Sequence, residues 1–67
     1  MFVATKNSLY EFNETFSLFR KVKPEISKWK SFIGVKVEPM VGKPLSIIQA
    51  KEDTLVTSVV VSINEDE

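Results

Sequence analysis

The run Asp53-Thr-Leu-Val-Thr-Ser-Val-Val-Val-Ser-Ile63 constrains the fold of this chain more than any other segment. β-Branched residues dominate it and neither Gly nor Pro interrupts it, so it predicts a long β-strand. Strict alternation places Leu55, Thr57, Val59, Val61 and Ile63 on one face and Val56, Ser58, Val60 and Ser62 on the other. Val59-Val60-Val61 is therefore apolar on both faces. One face covers a core. The other needs cover from a helix, a second sheet or another chain, and at a sheet edge it would invite strand pairing with a partner or a second copy.

The rest of the chain builds on that strand with few resources. At 67 residues it is one domain at most, and a domain of that size buries only about 60% of the surface its unfolded chain exposes. Cys and His are both absent, which removes disulfides and the usual zinc ligands as staples and leaves oligomerisation. Neither a metal nor a cofactor is expected. A hydrophobic content of 43%, with five Phe, one Trp and one Tyr, argues against disorder. No apolar stretch approaches the roughly 20 residues of a membrane span, and the start Met-Phe-Val-Ala-Thr-Lys lacks the features of an export signal. The expectation is a cytoplasmic protein with one small β domain over residues 1–63 and a solvated acidic tail over 64–67.

Along the chain, Phe2–Thr5 and Leu9–Phe12 read as strand around Lys6-Asn7-Ser8, where Asn7 suits a turn or a bulge. Residues 15–22 fit either period; the alternation of Phe16, Leu18, Arg20 and Val22 favours a strand. The period then changes. Ile26, Trp29 and Ile33, with Phe32 beside them, recur at three- and four-residue spacing between Pro24 and Gly34, which predicts one short helix with Trp29 on its packed face. Val35–Glu38 and Leu45–Ala50 read as strands joined through Met40-Val41-Gly42-Lys43-Pro44, and Lys51–Thr54 is a polar break of hairpin length. The predicted fold is mainly β (or α+β): a small bent antiparallel sheet of four to six strands with one short helix, closed as an SH3-like or OB-like barrel.

Val41-Gly42-Lys43-Pro44-Leu45 followed by Thr57-Ser58-x-Val60 resembles a G-x-P-L … T-S-x-V pattern in short, uncharacterised β-proteins of bacteria and their phages. Thr5-x-Asn7-Ser8-x-Tyr10 is similar to a T-x-N-S-x-Y strand that follows those two in such proteins; here it precedes them. The resemblance implies a small β-module of bacterial or phage origin and implies no activity.

Net charge is zero, yet the charges are segregated. Residues 20–43 carry Arg20, Lys21, Lys23, Lys28, Lys30, Lys36 and Lys43 against Glu25 and Glu38, while residues 44–67 carry Lys51 against Glu52, Asp53, Glu65, Asp66 and Glu67. Such a dipolar layout fits a localised binding face better than general polyanion binding. Two Gly exclude a phosphate-cradling glycine loop, and the Ser and Thr hydroxyls lack a His partner, so no enzyme activity is expected. The preferred reading is a non-catalytic protein-interaction module, an accessory or regulatory factor of phage or mobile-element type that binds a host protein. Its contacts would be Arg20, Lys21, Lys23, Lys28 and Lys30, with Val60 and the exposed parts of the last strand. A nucleic-acid-binding small barrel is the alternative, with the same cations on phosphates and Tyr10, Phe19 or Trp29 stacking on bases. A structural homo-oligomer is the third.

Overall fold

The structure, a computed structural model, describes residues 1–65 and is built of strands alone. The strands are β1 (Phe2–Thr5), β2 (Leu9–Phe12), β3 (Leu18–Lys23), β4 (Lys30–Ser31), β5 (Gly34–Val35), β6 (Pro44–Ala50) and β7 (Asp53–Asn64). They form one antiparallel sheet in the order β4-β3-β2-β1-β7-β6-β5. The two end strands are thus consecutive in the chain and only Phe32-Ile33 separates them, so the sheet has to curl until its ends meet. Phe32 N–H donates to Ser17 O (3.1 Å) at one end and Ile33 N–H to Ile48 O (2.7 Å) at the other. The result is a curled half-barrel whose end strands are only two residues long, and short edge strands offer little backbone for pairing with another chain.

That closure explains why no helix forms over residues 24–34. A helix of two to three turns is marginal unless one apolar face is buried. Here only Phe32 enters the core, at 6% exposure, while Ile26 (69%) and Ile33 (70%) face solvent. The sheet edges compete for the same backbone. Ser27 N–H donates to Lys21 O (2.8 Å), Lys21 N–H donates to Ser27 Oγ (2.9 Å), and Lys30 and Ser31 pair with Phe19 and Leu18. Gly34 sits in β5 opposite Ile48 and not at a helix end. Trp29 is 40% exposed and lies outside the core.

The core is Val3, Tyr10, Phe12, Phe19, Phe32, Leu45, Ile47 and Val60, with Phe16, Val35, Leu55 and Ile63 packed against it. Its centre is a phenylalanine cluster: Phe12 stacks on Phe16 at 5.1 Å, and Phe32 meets Phe12, Phe16 and Phe19 edge-on at 5.4, 5.0 and 5.6 Å. Asn13 organises the turn that delivers Phe16. Its Oδ1 accepts from Ser17 N–H and Leu18 N–H (2.8 and 2.9 Å), and Phe16 occupies left-handed backbone at φ 55°. An aromatic residue there is uncommon and is held by its surroundings.

β7 is long, central and bulged. Ser46 pairs with Val56 but Pro44 with Val59, and Thr5 pairs with Val60 but Ala4 with Ser62, so β7 carries an extra residue at each of these two places. Each bulge flips the strand's phase. The inward positions are therefore Leu55, Thr57, Val60 and Ile63, not an unbroken odd-numbered set. At the first bulge the Thr57 hydroxyl replaces a ladder acceptor, taking the Leu45 N–H at 3.1 Å and donating to Ser58 O at 2.8 Å. Asn64 pairs with Phe2, so the expected tail boundary at 64 moves to the end of β7; Asp66 and Glu67 lie outside the described residues. Among the described residues no helix is long and apolar enough to cross a membrane.

Candidate functional site

The three short segments Thr5–Tyr10, Val41–Leu45 and Thr57–Val60 converge at the bulged part of β7. Met40-Val41-Gly42-Lys43 is a turn closed by Lys43 N–H to Met40 O (3.2 Å), with Gly42 at φ 92° in its third position. That position requires positive φ and selects Gly. Gly42 N–H then donates to Val60 O and Val60 N–H to Lys43 O, the pattern of a glycine-led bulge. On the other side of β7, Lys6 N–H donates to Val59 O and Asn7 N–H to Ser58 Oγ, while Thr5 Oγ1 and Ser8 hydrogen-bond each other across their turn. The Gly, Pro, Thr and Ser of these segments are accounted for by turn and bulge geometry.

The basic residues do not form one patch. Arg20 is held on the outer side of the sheet: its Nε and one terminal nitrogen both meet Glu11 Oε1 at 2.8 Å, and its guanidinium lies 4.6 Å from the centre of the Trp29 ring. Both partners of the ion pair are partly exposed, so the pair itself is worth little, on the order of 1 kcal/mol or less; its effect is to occupy Arg20 and one face of Trp29. Lys23 lines a shallow groove beside Ala4, Thr5 and Leu9, and Lys28 stands exposed on the segment between β3 and β4. Only Lys21 and Lys30 come together. They line an open cleft of about 410 Å³ with Tyr10, Phe19, Ser27 and Leu55.

Three of the sequence-derived contact residues are corrected by burial. Val60 is fully buried (0%), because the bulge before it turns it inward, so it presents no contact surface. Tyr10 (6%) and Phe19 (3%) belong to the core and cannot splay out to stack on a base without opening it. Trp29 keeps an exposed edge, but Arg20 covers one face. The stacking platform that single-strand binding needs is therefore reduced to part of one ring.

An uncovered apolar feature lies on the outer face of β7. Val56 (62%), Val59 (37%) and Val61 (52%) are exposed although β7 lies in the middle of the sheet, since the fold has a single layer and no helix covers its convex side. Met40 and Val41 in the neighbouring turn are exposed as well. Exposed Lys6 bonds Val59 and exposed Lys43 bonds Val60 through the backbone contacts above. The sequence flagged the two-sided apolar run but assigned its faces by strict alternation, which put Val56 on the same face as Val60 and Thr57 on that of Val59 and Val61, whereas Val56 is exposed and Thr57 and Val60 are buried. The three-residue spacing Thr57, Val60, Ile63 marks the bulges, and it is visible only once period 2 is abandoned.

No protein-family model matches the chain, and neither does any curated protein or solved structure.

Proposed function

We propose that this chain is a non-catalytic cytoplasmic binding module that docks a protein partner face-on against the outer side of β7. The observation that supports this is the exposure of Val56, Val59 and Val61 on a central strand. A contiguous uncovered apolar surface rimmed by charge is characteristic of interaction sites. β7 pairs with β6 over its first half, from Asp53 to Val59, and with β1 over its second, from Val60 to Asn64, and the valine side chains stand off its face. Covering the half-exposed valines is worth roughly 1 kcal/mol apiece. Met40 and Val41 extend that gain, which has to offset the entropy of association. A partner with an apolar ridge flanked by carboxylates complements the surface, since exposed Lys6 and Lys43 bond the backbone of Val59 and Val60. Those rim charges would speed encounter more than they tighten the complex. The small half-barrel closed at Phe32-Ile33 is an SH3-like solution to the same closure problem, and a phage- or mobile-element factor acting on a host protein fits its size.

The test is affinity capture with the native chain and a Val56→Lys/Val61→Lys variant, after circular dichroism has shown that both fold. The proposal expects a protein retained by the native chain, through salt, and lost from the variant. Retention of nucleic acid with a steep salt dependence would favour the alternative reading, and equal capture by both proteins would remove the outer face of β7 from function.

A further inference from the structure

β7 changes partners along its length, and its first half has a strand on one side only. The backbone groups left over there can be identified. Ser46 O accepts from Lys36 N–H (3.2 Å) and Ile48 O from Ile33 N–H (2.7 Å), so the backbone of these two residues faces away from β7. Ile47 between them faces β7 and pairs with Leu55. Val56 and Thr54, the partners of Ser46 and Ile48, therefore turn their N–H and C=O groups to the other side of β7. β1 lies on that side, but its pairing stops at Val60, and its turn adds only Lys6 N–H to Val59 O and Asn7 N–H to Ser58 Oγ. Among the described residues nothing bonds Thr54 or Val56 there, and both are exposed. Leu55 between them lines an open cleft that Pro24–Ser27 also line. Two donors and two acceptors on one strand edge are what an extended chain needs to join a sheet.

We propose that the edge at Thr54–Val56 takes up an extended segment of a protein partner as an added strand. This rests on the protein-binding reading above and adds to it a backbone-mediated contact beside the valine face. Charge at the two ends of the edge sets the chemistry of the segment. Exposed Lys6 stands at the Val59 end and exposed Glu52 and Asp53 at the other. None of the three is in an ion pair, since among the described residues the only salt bridge joins Arg20 to Glu11. A segment running antiparallel to β7, as β1 does, then carries a carboxylate at its N-terminal end, a cation at its C-terminal end and apolar residues between. One apolar side chain lies beside Val56 on the outer face and the next beside Leu55 on the inner. A second copy would have to bring its own β6 into a cleft lined by Pro24–Ser27, whereas a free segment brings no neighbouring strand.

The experiment is amide hydrogen exchange of the ¹⁵N-labelled chain, alone and with the blocked peptide acetyl-Glu-Thr-Val-Val-Val-Lys-amide. In the free chain Thr54 and Val56 should exchange at least about tenfold faster than Leu55, although all three lie in one strand. Saturating peptide should slow Thr54 and Val56 by about tenfold or more and leave Leu55 nearly unchanged. N-methylation of the first and third valines, whose N–H groups donate to β7, should weaken binding at least about tenfold; methylation of the middle valine, whose N–H faces away, should cost less than about twofold. Thr54→Pro removes a donor that lies outside the β6 ladder and should weaken the peptide about tenfold, while Thr54→Val keeps that donor and the affinity. Slow exchange at Thr54 and Val56 in the free chain, no binding of the peptide, or equal effects of the two methylation patterns would overturn the proposal. So would protection that grows with protein concentration in the absence of peptide, which gives the edge to a second copy. Because the probe is a peptide, each of these failures leaves the capture result for the valine face standing.

Discussion

At the scale of single residues, the most demanding position is Gly42. Its φ of 92° is needed by the Met40–Lys43 turn and by the bulge against Val60, and a Cβ there would meet no atom within 4 Å. The cost of Gly42→Ala is then a backbone cost alone. We expect about 1 kcal/mol of destabilisation in urea unfolding. Gly34 supplies the control: it too has open space around its α-carbon but no positive φ, so Gly34→Ala should change stability by less than about 0.5 kcal/mol or raise it. An equal loss at both positions would mean that packing, not φ, sets the cost. Gly42 and Asn7 were legible as turn residues from their types. The role of Thr57 was not, because a buried threonine that replaces a ladder acceptor looks like any inward β-branched residue until the bulge is known.

At the scale of elements, the segment between β3 and β6 decides whether the sheet closes. Its apolar spacing imitates a helix, and the imitation fails because the residues do not share one buried face: Phe32 packs among Phe12, Phe16 and Phe19 while Ile26, Trp29 and Ile33 stay largely outside. Phe32→Ala should cost about 3–5 kcal/mol, the range for a phenylalanine removed from a core, which is enough to unfold a domain this small. Trp29→Ala should cost under about 1 kcal/mol, because it removes a half-exposed ring and its contact with Arg20. Thermal or urea unfolding of the two variants separates the closed-sheet account from a packed helix, in which Trp29 would be the costlier loss. The strands at Phe2–Thr5, Leu9–Phe12 and along β6 and β7 were legible from alternation because each has one face on the core. Closure depends on pairing between residues far apart in sequence, such as Ile33 with Ile48, and local periodicity carries no trace of that.

At the scale of the whole molecule, a single-layer half-barrel has one inner core and a convex outside on which, among the described residues, Val56, Val59 and Val61 stay exposed. This explains how a chain with zero net charge and 43% hydrophobic residues can leave Val56, Val59 and Val61 in water. The basic segment, which stood out in the sequence as one stretch, is divided by the fold: Arg20 is paired on the outside, Lys21 and Lys30 enter the cleft, and Lys23 and Lys28 point elsewhere. Charge clustering along a chain says little about clustering in space when alternate residues of a strand face opposite ways. Under the proposed function the outer face of β7 docks a different protein and not a second copy of this chain. The most direct measurement is light scattering across a dilution series, from millimolar to low micromolar, for the native chain and the Val56→Lys/Val61→Lys variant. The account predicts the mass of one chain for both at every working concentration, and a native melting temperature that does not move on dilution. A native dimer that dissociates on dilution and is absent in the variant would give the valine face to self-association and contradict the account.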